Sequence, residues 1–322
     1  MLDVRGYPDF ATASREVLKF LRDRIGFDLW MITRVIDQDW IVLQAEDHGY
    51  GVHAGDVFSW ADSFCFEMVQ GNGPYIAPQS DLVAVYRQAP INQQIDIGAY
   101  AGLPLCDKEG RLFGTLCGIH PKAFPDSLME ELPIVELIAR LLGSLLDAEL
   151  NTQQERRRAE RAEAEAQIDT LTGLYNRRGW DKLVAAEDIR CQHFGYSACI
   201  IVVDLDHFKQ VNDTYGHITG DEYLQRAAHT LLGVLRKEDV AARIGGDEFA
   251  ILGIEVERQG AQALVERLAI ALEAAHIDAS LGYALRHPAK SLREAWAQAD
   301  TAMYRRKQRK RTTALASVVS PP

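Results

Sequence analysis

No stretch of the sequence approaches 18 consecutive apolar residues, so no membrane-spanning helix is expected. The opening Met-Leu-Asp-Val-Arg lacks a basic stretch followed by an apolar one. No signal peptide is expected, and the expected location is cytoplasmic. Cysteine is scarce: Cys65, Cys106, Cys117, Cys191 and Cys199, odd in number and nowhere spaced as CxxC. That argues against a disulfide-stapled fold and for buried, reduced thiols. Positive charge is also short, with 35 Lys and Arg against 46 Asp and Glu. The deficit is local. Residues 1–150 hold 11 basic and 22 acidic side chains, whereas 151–168 balance at 4 and 4 and 169–322 at 20 and 20. Nucleic acid is therefore an improbable partner for the first half.

What is present fits an ordinary soluble protein: 322 residues, 47% hydrophobic and 25% charged, enough for two domains. The dividing segment runs from about 127 to 168. Leu137, Ile138, Leu141, Leu142, Leu145 and Leu146 recur at helical spacing in its first part. Its second part, NTQQERRRAERAEAEAQ, keeps only Ala159, Ala162 and Ala166 at that spacing, amid alternating Glu and Arg. A continuous helix of about 40 residues would be roughly 60 Å long. It is expected to join two domains, either as a parallel coiled coil in a dimer or as a solvated spacer.

Residues 1–126 read as mixed helix and sheet. An opening amphipathic helix carries Val17, Leu18, Leu21 and Ile25. Strands are expected at Leu29–Ile36, Trp40–Gln44, Ala99–Leu105 and Leu112–Ile119, the last two joined by a polar turn with Gly110. This order, and the segment IGAYAGLPLCDKEGRLFGTLCGI above all, resembles the GAF family of small-molecule sensor domains. The resemblance implies an unidentified small-molecule or protein signal. No NKFDE sequence supports a cyclic nucleotide. Trp30, Trp40, Trp60, Phe58, Phe64 and Phe66 suit either a core or a pocket wall.

In the second half CIIVVDLD reads as a buried strand ending in two carboxylates, Asp204 and Asp206. Alternation along a strand points both the same way. The next stretch, HFKQVNDTYGHITGDEYL, supplies Lys209, Asn212, His217 and Asp221, with Gly216 and Gly220 for tight turns. A carboxylate such as Asp221 can accept two N–H donors, the pattern on one edge of guanine. RIGGDEFAIL then places Gly245, Gly246, Asp247 and Glu248 in a hairpin turn tipped with carboxylates. Carboxylates converging at strand ends suit Mg²⁺ or Mn²⁺, which share oxygen ligands with substrate phosphates. No GxxxxGK[ST] sequence is present, which excludes an ordinary P-loop. The residues point to a metal-dependent nucleotidyl transferase acting on a purine triphosphate. The basic run of Arg305, Arg306, Lys307, Arg309, Lys310 and Arg311 is either a solvated helix end or a phosphate contact.

Residues 169–311 resemble the GGDEF family of diguanylate cyclases. DTLTGLYNRR (169–178), DLDHFKQVNDTYGHITGD (204–221), RIGGDEF (243–249) and ADTAMYRRKQRKR (299–311) carry the match. The resemblance implies an α/β (α+β) architecture: residues 1–126 as a GAF-like sensor domain, 127–168 as a signalling helix, and 169–322 as a GGDEF domain with a central sheet ringed by helices, similar to nucleotidyl cyclases. It implies condensation of two GTP into cyclic di-GMP and two pyrophosphates across a homodimer, with Mg²⁺ or Mn²⁺, two per site. Asp204 and the Leu205 carbonyl would bind metal. Asp247 would bind metal and act as general base, and Glu248 would assist the second metal. Asn212 and Asp221 would read guanine, and His217 would line the site. Lys209 would meet phosphate or stabilise the transition state. Lys307 and Arg311 would bind terminal phosphates, although Lys310 stands where the family often has glycine.

Arg236 and Asp239 also match the family's RxxD product-binding site, with Arg267 as a second arginine. Cyclic di-GMP would then be a feedback inhibitor as well as the product. The rival reading is a catalytically silent GGDEF module that only binds GTP or cyclic di-GMP.

Overall fold

A computed structural model describes residues 6–164 and 166–319, with side chains described except at 311 and 313–319. The expectation for the opening five residues lies outside the described ones. The chain divides into two compact units, one of residues 1–156 with 193–195, the other of 157–192 and 196–322. Among the described residues no helix is long and apolar enough to cross a membrane.

The first unit opens with α1 (Phe10–Ile25). Asp9 caps it by accepting the Thr12 amide at 2.6 Å, and Gly26 ends it in the left-handed conformation at φ 85°. Then follow β1 (Leu29–Ile36), β2 (Asp39–Asp47), β3 (Val57–Ser59), α2 (Phe64–Val69), β4 (Ile76–Ala77), α3 (Ala84–Gln88), β5 (Ala99–Cys106) and β6 (Leu112–His120). The strands form an antiparallel sheet in the order β3-β2-β1-β6-β5-β4. The four expected strands are all present. In the β5–β6 turn the Asp107 carboxylate accepts the Glu109 and Arg111 amides, and Gly110 takes φ 79°. Trp30, Trp60 and Phe64 are buried, whereas Phe58 is 37% exposed.

The dividing helix, α4, runs Leu132–Ala164. Its 33 residues make about 50 Å, shorter than expected, because residues 126–131 form a 3₁₀ turn ahead of Pro133. Residues 157–164 belong to the second unit. Arg157 pairs with Glu187 at 2.7 Å and with Glu255 at 2.7 Å, and Arg190 pairs with Glu160 at 2.9 Å and Glu187 at 2.8 Å. Glu187 is 1% exposed, so its charge is tolerable only because two guanidinium groups meet it. Ala164 is buried, while Ala159 and Ala162 face solvent.

The second unit continues with α5 (Arg177–Phe194), β7 (Ala198–Leu205), α6 (Phe208–Tyr215), α7 (His217–Val234), β8 (Val240–Arg243), β9 (Glu248–Ile254), α8 (Arg258–Ala274), β10 (Ala279–Leu285) and α9 (Leu292–Val319). Its sheet is antiparallel, in the order β10-β7-β9-β8. Every residue of β7 is buried, which explains its unbroken apolar run. Cys199, Ile201 and Val203 pack into a core with Leu224 and Ala228 of α7 and Leu264 and Leu268 of α8. Ile200 and Val202 pack the other way, with Trp180 and Leu183 of α5 and Leu292, Ala295 and Met303 of α9. Each such side chain contributes about 1.5–3 kcal/mol by leaving water. The central sheet thus has helices on both faces, as expected. α9 lies directly on β10 at Gly282, where an added Cβ would sit 2.1 Å from the Met303 nitrogen. That close approach carries Lys307 and Lys310 to the end of β7.

Candidate active site at the end of β7

β7 stops where its sequence turns from apolar to acidic. Asp204 and Asp206 are both buried, at 5% and 7% exposure. Asp204 stands opposite Glu248 in the β7–β9 register, and the Leu205 amide donates to the Asp247 carbonyl at 3.1 Å. The register therefore brings the signature turn beside the strand end.

That turn is held from outside. The Arg243 guanidinium donates to the Gly246 carbonyl at 2.8 and 3.1 Å and pairs with Asp169 at 3.4 Å. Asp169 in turn accepts the Thr172 amide at 2.9 Å and hydroxyl at 2.7 Å. Burial raises the Asp169 carboxyl, but the Thr172 bonds and the Arg243 charge together hold it below the usual range. The DTLTG segment thus has a mechanical role, which its match to the family alone did not assign. An added Cβ at Gly245 would come 2.8 Å from Glu248 Oε2, so glycine there leaves the carboxylate its place.

Two lysines from α9 meet the carboxylates. Lys307 Nζ donates to Asp204 Oδ1 at 2.5 Å. Lys310 Nζ donates to Asp206 Oδ2 at 2.7 Å and to the Ala279 carbonyl at 2.7 Å. Asp206 also accepts the Ser280 hydroxyl at 2.8 Å. Burial, and then the neighbouring Asp247 and Asp206 charges, push the Asp204 carboxyl up despite Lys307. Glu248 is pushed up by burial and then by Asp204, Asp247 and Asp300. This is a crowd of anions that is short of positive charge. Oxygen donors in that electrostatic state fit Mg²⁺ or Mn²⁺. Among the described residues no group of three His, Cys, Asp or Glu side chains is gathered in metal-holding geometry. The lysine ammonium groups meet the Asp204 and Asp206 oxygens instead.

A cavity of about 240 Å³ opens here, lined by Leu205, Asp206, His207, Lys209, Asp247, Lys307 and Lys310, among others. Of the residues expected from sequence, it brings together Leu205, Lys209, Asp247 and Lys307. His207 adopts φ 60°, uncommon for a residue with a side chain, at the turn from β7 into α6. Asn212, Asp221 and His217 lie outside the cavity lining, on α6 and α7. Asn212 and the residue before Asp221 are nonetheless adjacent, since a Cβ on Gly220 would sit 1.9 Å from Asn212 Oδ1. The Arg311 side chain lies outside the described residues. Ser280 is a site residue that sequence reasoning did not name, and Asp206 and Lys310, named there only as a strand-end carboxylate and a member of the basic run, stand outside the ligand set that the resemblance implied. Lys310 and Asp206 are 104 residues apart, and the packing of α9 on β10 and β7 brings them together.

The product-site residues lie elsewhere on the unit. Asp239 accepts the Arg236 amide at 2.9 Å and the Ile254 amide at 3.3 Å, so it shapes its own loop. The Arg236 side chain is exposed. Arg267 donates to the Val234 carbonyl at 3.3 Å, close to that loop. From α4, Arg161 donates to the carbonyls of Lys237 and Glu238.

Comparison with known proteins agrees with this geometry. Residues 166–313 match the family described as "Diguanylate cyclase, GGDEF domain", and residues 9–146 match the GAF domain family. The probable diguanylate cyclase DgcC of Escherichia coli K12 is 32% identical over 186 residues, covering 55% of this chain and 50% of that protein. An uncharacterized 19.3 kDa protein of Streptomyces ambofaciens is 38% identical over 154 residues, 46% of this chain and 82% of its own length. The cyclic di-GMP phosphodiesterase NbdA of Pseudomonas aeruginosa is 38% identical over 103 residues, 32% of this chain and 13% of that protein. The chain spans about half the length of the first curated relative it matches, DgcC. It belongs to the GGDEF diguanylate cyclase family and carries a GAF domain ahead of the GGDEF domain.

Proposed function

We propose that the chain condenses two GTP molecules to cyclic di-GMP and two pyrophosphates, one GTP on each subunit of a homodimer. The observation that carries this reading is the meeting of Asp204 with Lys307 and of Asp206 with Lys310 at one strand end, beside an intact Gly245-Gly246-Asp247-Glu248 turn in register with it. Lys307 and Lys310 would leave the carboxylates for the triphosphate of an entering GTP, and Lys209 would meet phosphate from α6. Mg²⁺ or Mn²⁺, held by Asp204, the Leu205 carbonyl, Asp247 and Glu248, would supply the charge that this site is short of. Asp247 would take the proton from the 3′-hydroxyl that attacks the partner subunit's nucleotide. Asn212 and Asp221 would hold guanine, with His217 nearby on α7. Exposed Ala159 and Ala162 leave one face of α4 open to a second copy.

Two controls accompany the reaction. The GAF domain would receive a signal and change how the two GGDEF domains face each other. Cyclic di-GMP would bind Arg236, Asp239 and Arg267 and inhibit.

A nucleotide-binding module without turnover is the second reading. Likeness to NbdA, which is named a cyclic di-GMP phosphodiesterase, supports it, because that match carries no cyclase name. Incubation of the full chain with GTP and Mg²⁺, followed by mass analysis of the nucleotides, separates the two. Turnover gives cyclic di-GMP. GTP returned intact, though bound, would establish the silent module.

A further inference from the structure

The GAF unit contains a cavity of about 210 Å³, walled by apolar side chains that include Leu29, Met31, Trp40, Phe64, Ile97 and Ile119. It reaches the surface, since exposed Gly51 and Phe58 also line it. Its floor is chemically different. Cys65 of α2 and Cys117 of β6 both line it, each 1% exposed, and their thiols lie close enough to interact. The Tyr100 hydroxyl donates to Cys65 Sγ at 3.3 Å, and the Thr115 hydroxyl lies 3.8 Å from Cys117 Sγ. Thr115 is 2.8 Å from the Thr33 hydroxyl, which accepts the Trp40 indole N–H at 2.8 Å. The tyrosine reaches the thiol because residue 102 is glycine: a Cβ there would lie 2.0 Å from the Tyr100 hydroxyl.

We propose that Cys65 and Cys117 form a dithiol site that reduces a hydroperoxide bearing an apolar group, Cys65 attacking and Cys117 resolving. The apolar walls select the organic substituent, and the uncharged peroxide loses little on leaving water. Cys65 sulfur attacks one peroxide oxygen. The O–O bond breaks, and the other oxygen leaves as the alcohol, carrying the Cys65 proton. Cys65 is then a sulfenic acid. Cys117 sulfur attacks Cys65 sulfur, the S–O bond breaks, and the hydroxyl leaves as water with the Cys117 proton. In sum, two thiols and one hydroperoxide give a disulfide, an alcohol and water. Hydrogen bonding supports the division of roles. The Tyr100 hydroxyl donates to Cys65 Sγ at 3.3 Å, closer than the 3.8 Å at which Thr115 meets Cys117, so a developing thiolate is better met at Cys65.

The unaltered full chain provides the test, treated in parallel with cumene hydroperoxide and hydrogen peroxide, alkylated, digested and mapped by mass. A Cys65–Cys117 disulfide should form at least about tenfold faster than Cys106 is oxidised, although Cys106 is the more accessible thiol. Cumene hydroperoxide should act faster than hydrogen peroxide at equal concentration. In Cys117→Ser, dimedone should label Cys65, and Tyr100→Phe should slow that labelling. Oxidation that starts at Cys106 or Met31, or hydrogen peroxide outrunning cumene hydroperoxide, would overturn the proposal without reliance on any variant.

Discussion

The two units handle polar groups in opposite ways. In the GGDEF domain, charge gathers at the end of a buried strand, where Asp204 and Glu248 are both pushed above their ordinary values by burial and then by neighbouring carboxylates such as Asp247. In the GAF domain the cavity is walled mainly by hydrocarbon, with Tyr50 and Asp56 also in its lining; Trp40, Thr33, Thr115 and Cys117 form one hydrogen-bonded series beside it, and Tyr100 meets Cys65. The first arrangement suits cations, and Lys307 and Lys310 already meet two of its carboxylates. The second is complete, and changes only if a reagent or ligand enters. The comparison separates a cavity lined by charged side chains from one lined mainly by hydrocarbon.

The largest expected effect breaks the charged side of that comparison. Asp247→Asn should lower cyclic di-GMP formation by at least about a thousandfold, because it removes the proposed general base. The melting temperature should hardly change, since the Asp247 side chain lines an open cavity. Asp204→Asn is a less clean probe. Asp204 is a buried strand residue set between Lys307 and neighbouring carboxylates, so its loss should also shift stability. A D247N enzyme with near-normal turnover would reject the assignment.

Asp221→Ala should come next, raising the apparent KM for GTP by roughly tenfold or more, as a polar partner worth about 1–3 kcal/mol is lost. The ratio of GTP to ATP use checks it. If that ratio does not move, guanine is read elsewhere.

The anionic crowding has its own signature. Asp204 and Glu248 have raised folded-state values, so the stability they contribute is present at low pH and is lost as pH rises above the ordinary carboxylate range. Mg²⁺ should therefore raise the melting temperature more at neutral than at acidic pH. An equal shift at both would show that these carboxylates do not hold it.

Smaller, and directed at control, are two further changes. Arg236→Ala should leave the initial rate intact and weaken inhibition by added cyclic di-GMP. A variant as sensitive as the parent would leave Arg236 and Asp239 as loop residues only. In the helix, four residues inserted after Thr152, ahead of the docked 157–164 segment, should alter the basal rate. Seven inserted there should largely preserve it, because four turn the chain by about 40° and seven by about 20° the other way. Equal rates would make α4 a passive tether.

Legibility followed the same division. Charged residues at strand ends and turns break an apolar pattern, so Asp204, Lys209, Asp247 and Lys307, the residues proposed for metal and phosphate, stand out from their background. The β7 run and its flanking helices were readable for the same reason. Residues joined only by tertiary packing were not. Ser280 meets Asp206 across 74 residues, and Arg243 meets Asp169 across 74. The GAF cavity was the least readable part, because a wall of aromatic and aliphatic side chains has the same alternation as a core. Of the six aromatics considered, Trp40, Phe58 and Phe64 line the cavity, and Trp30, Trp60 and Phe66 do not.

The central claim is that two GTP-loaded sites on separate subunits make one product. Mixing wild-type chain with Asp247→Asn, under conditions where subunits exchange, tests it most directly. If both 3′-hydroxyls must be activated in one dimer, an equal mixture at fixed total protein should make cyclic di-GMP at roughly a quarter of the wild-type rate. A rate of about half, falling in proportion to the wild-type fraction, would mean that each subunit works alone and would contradict the account.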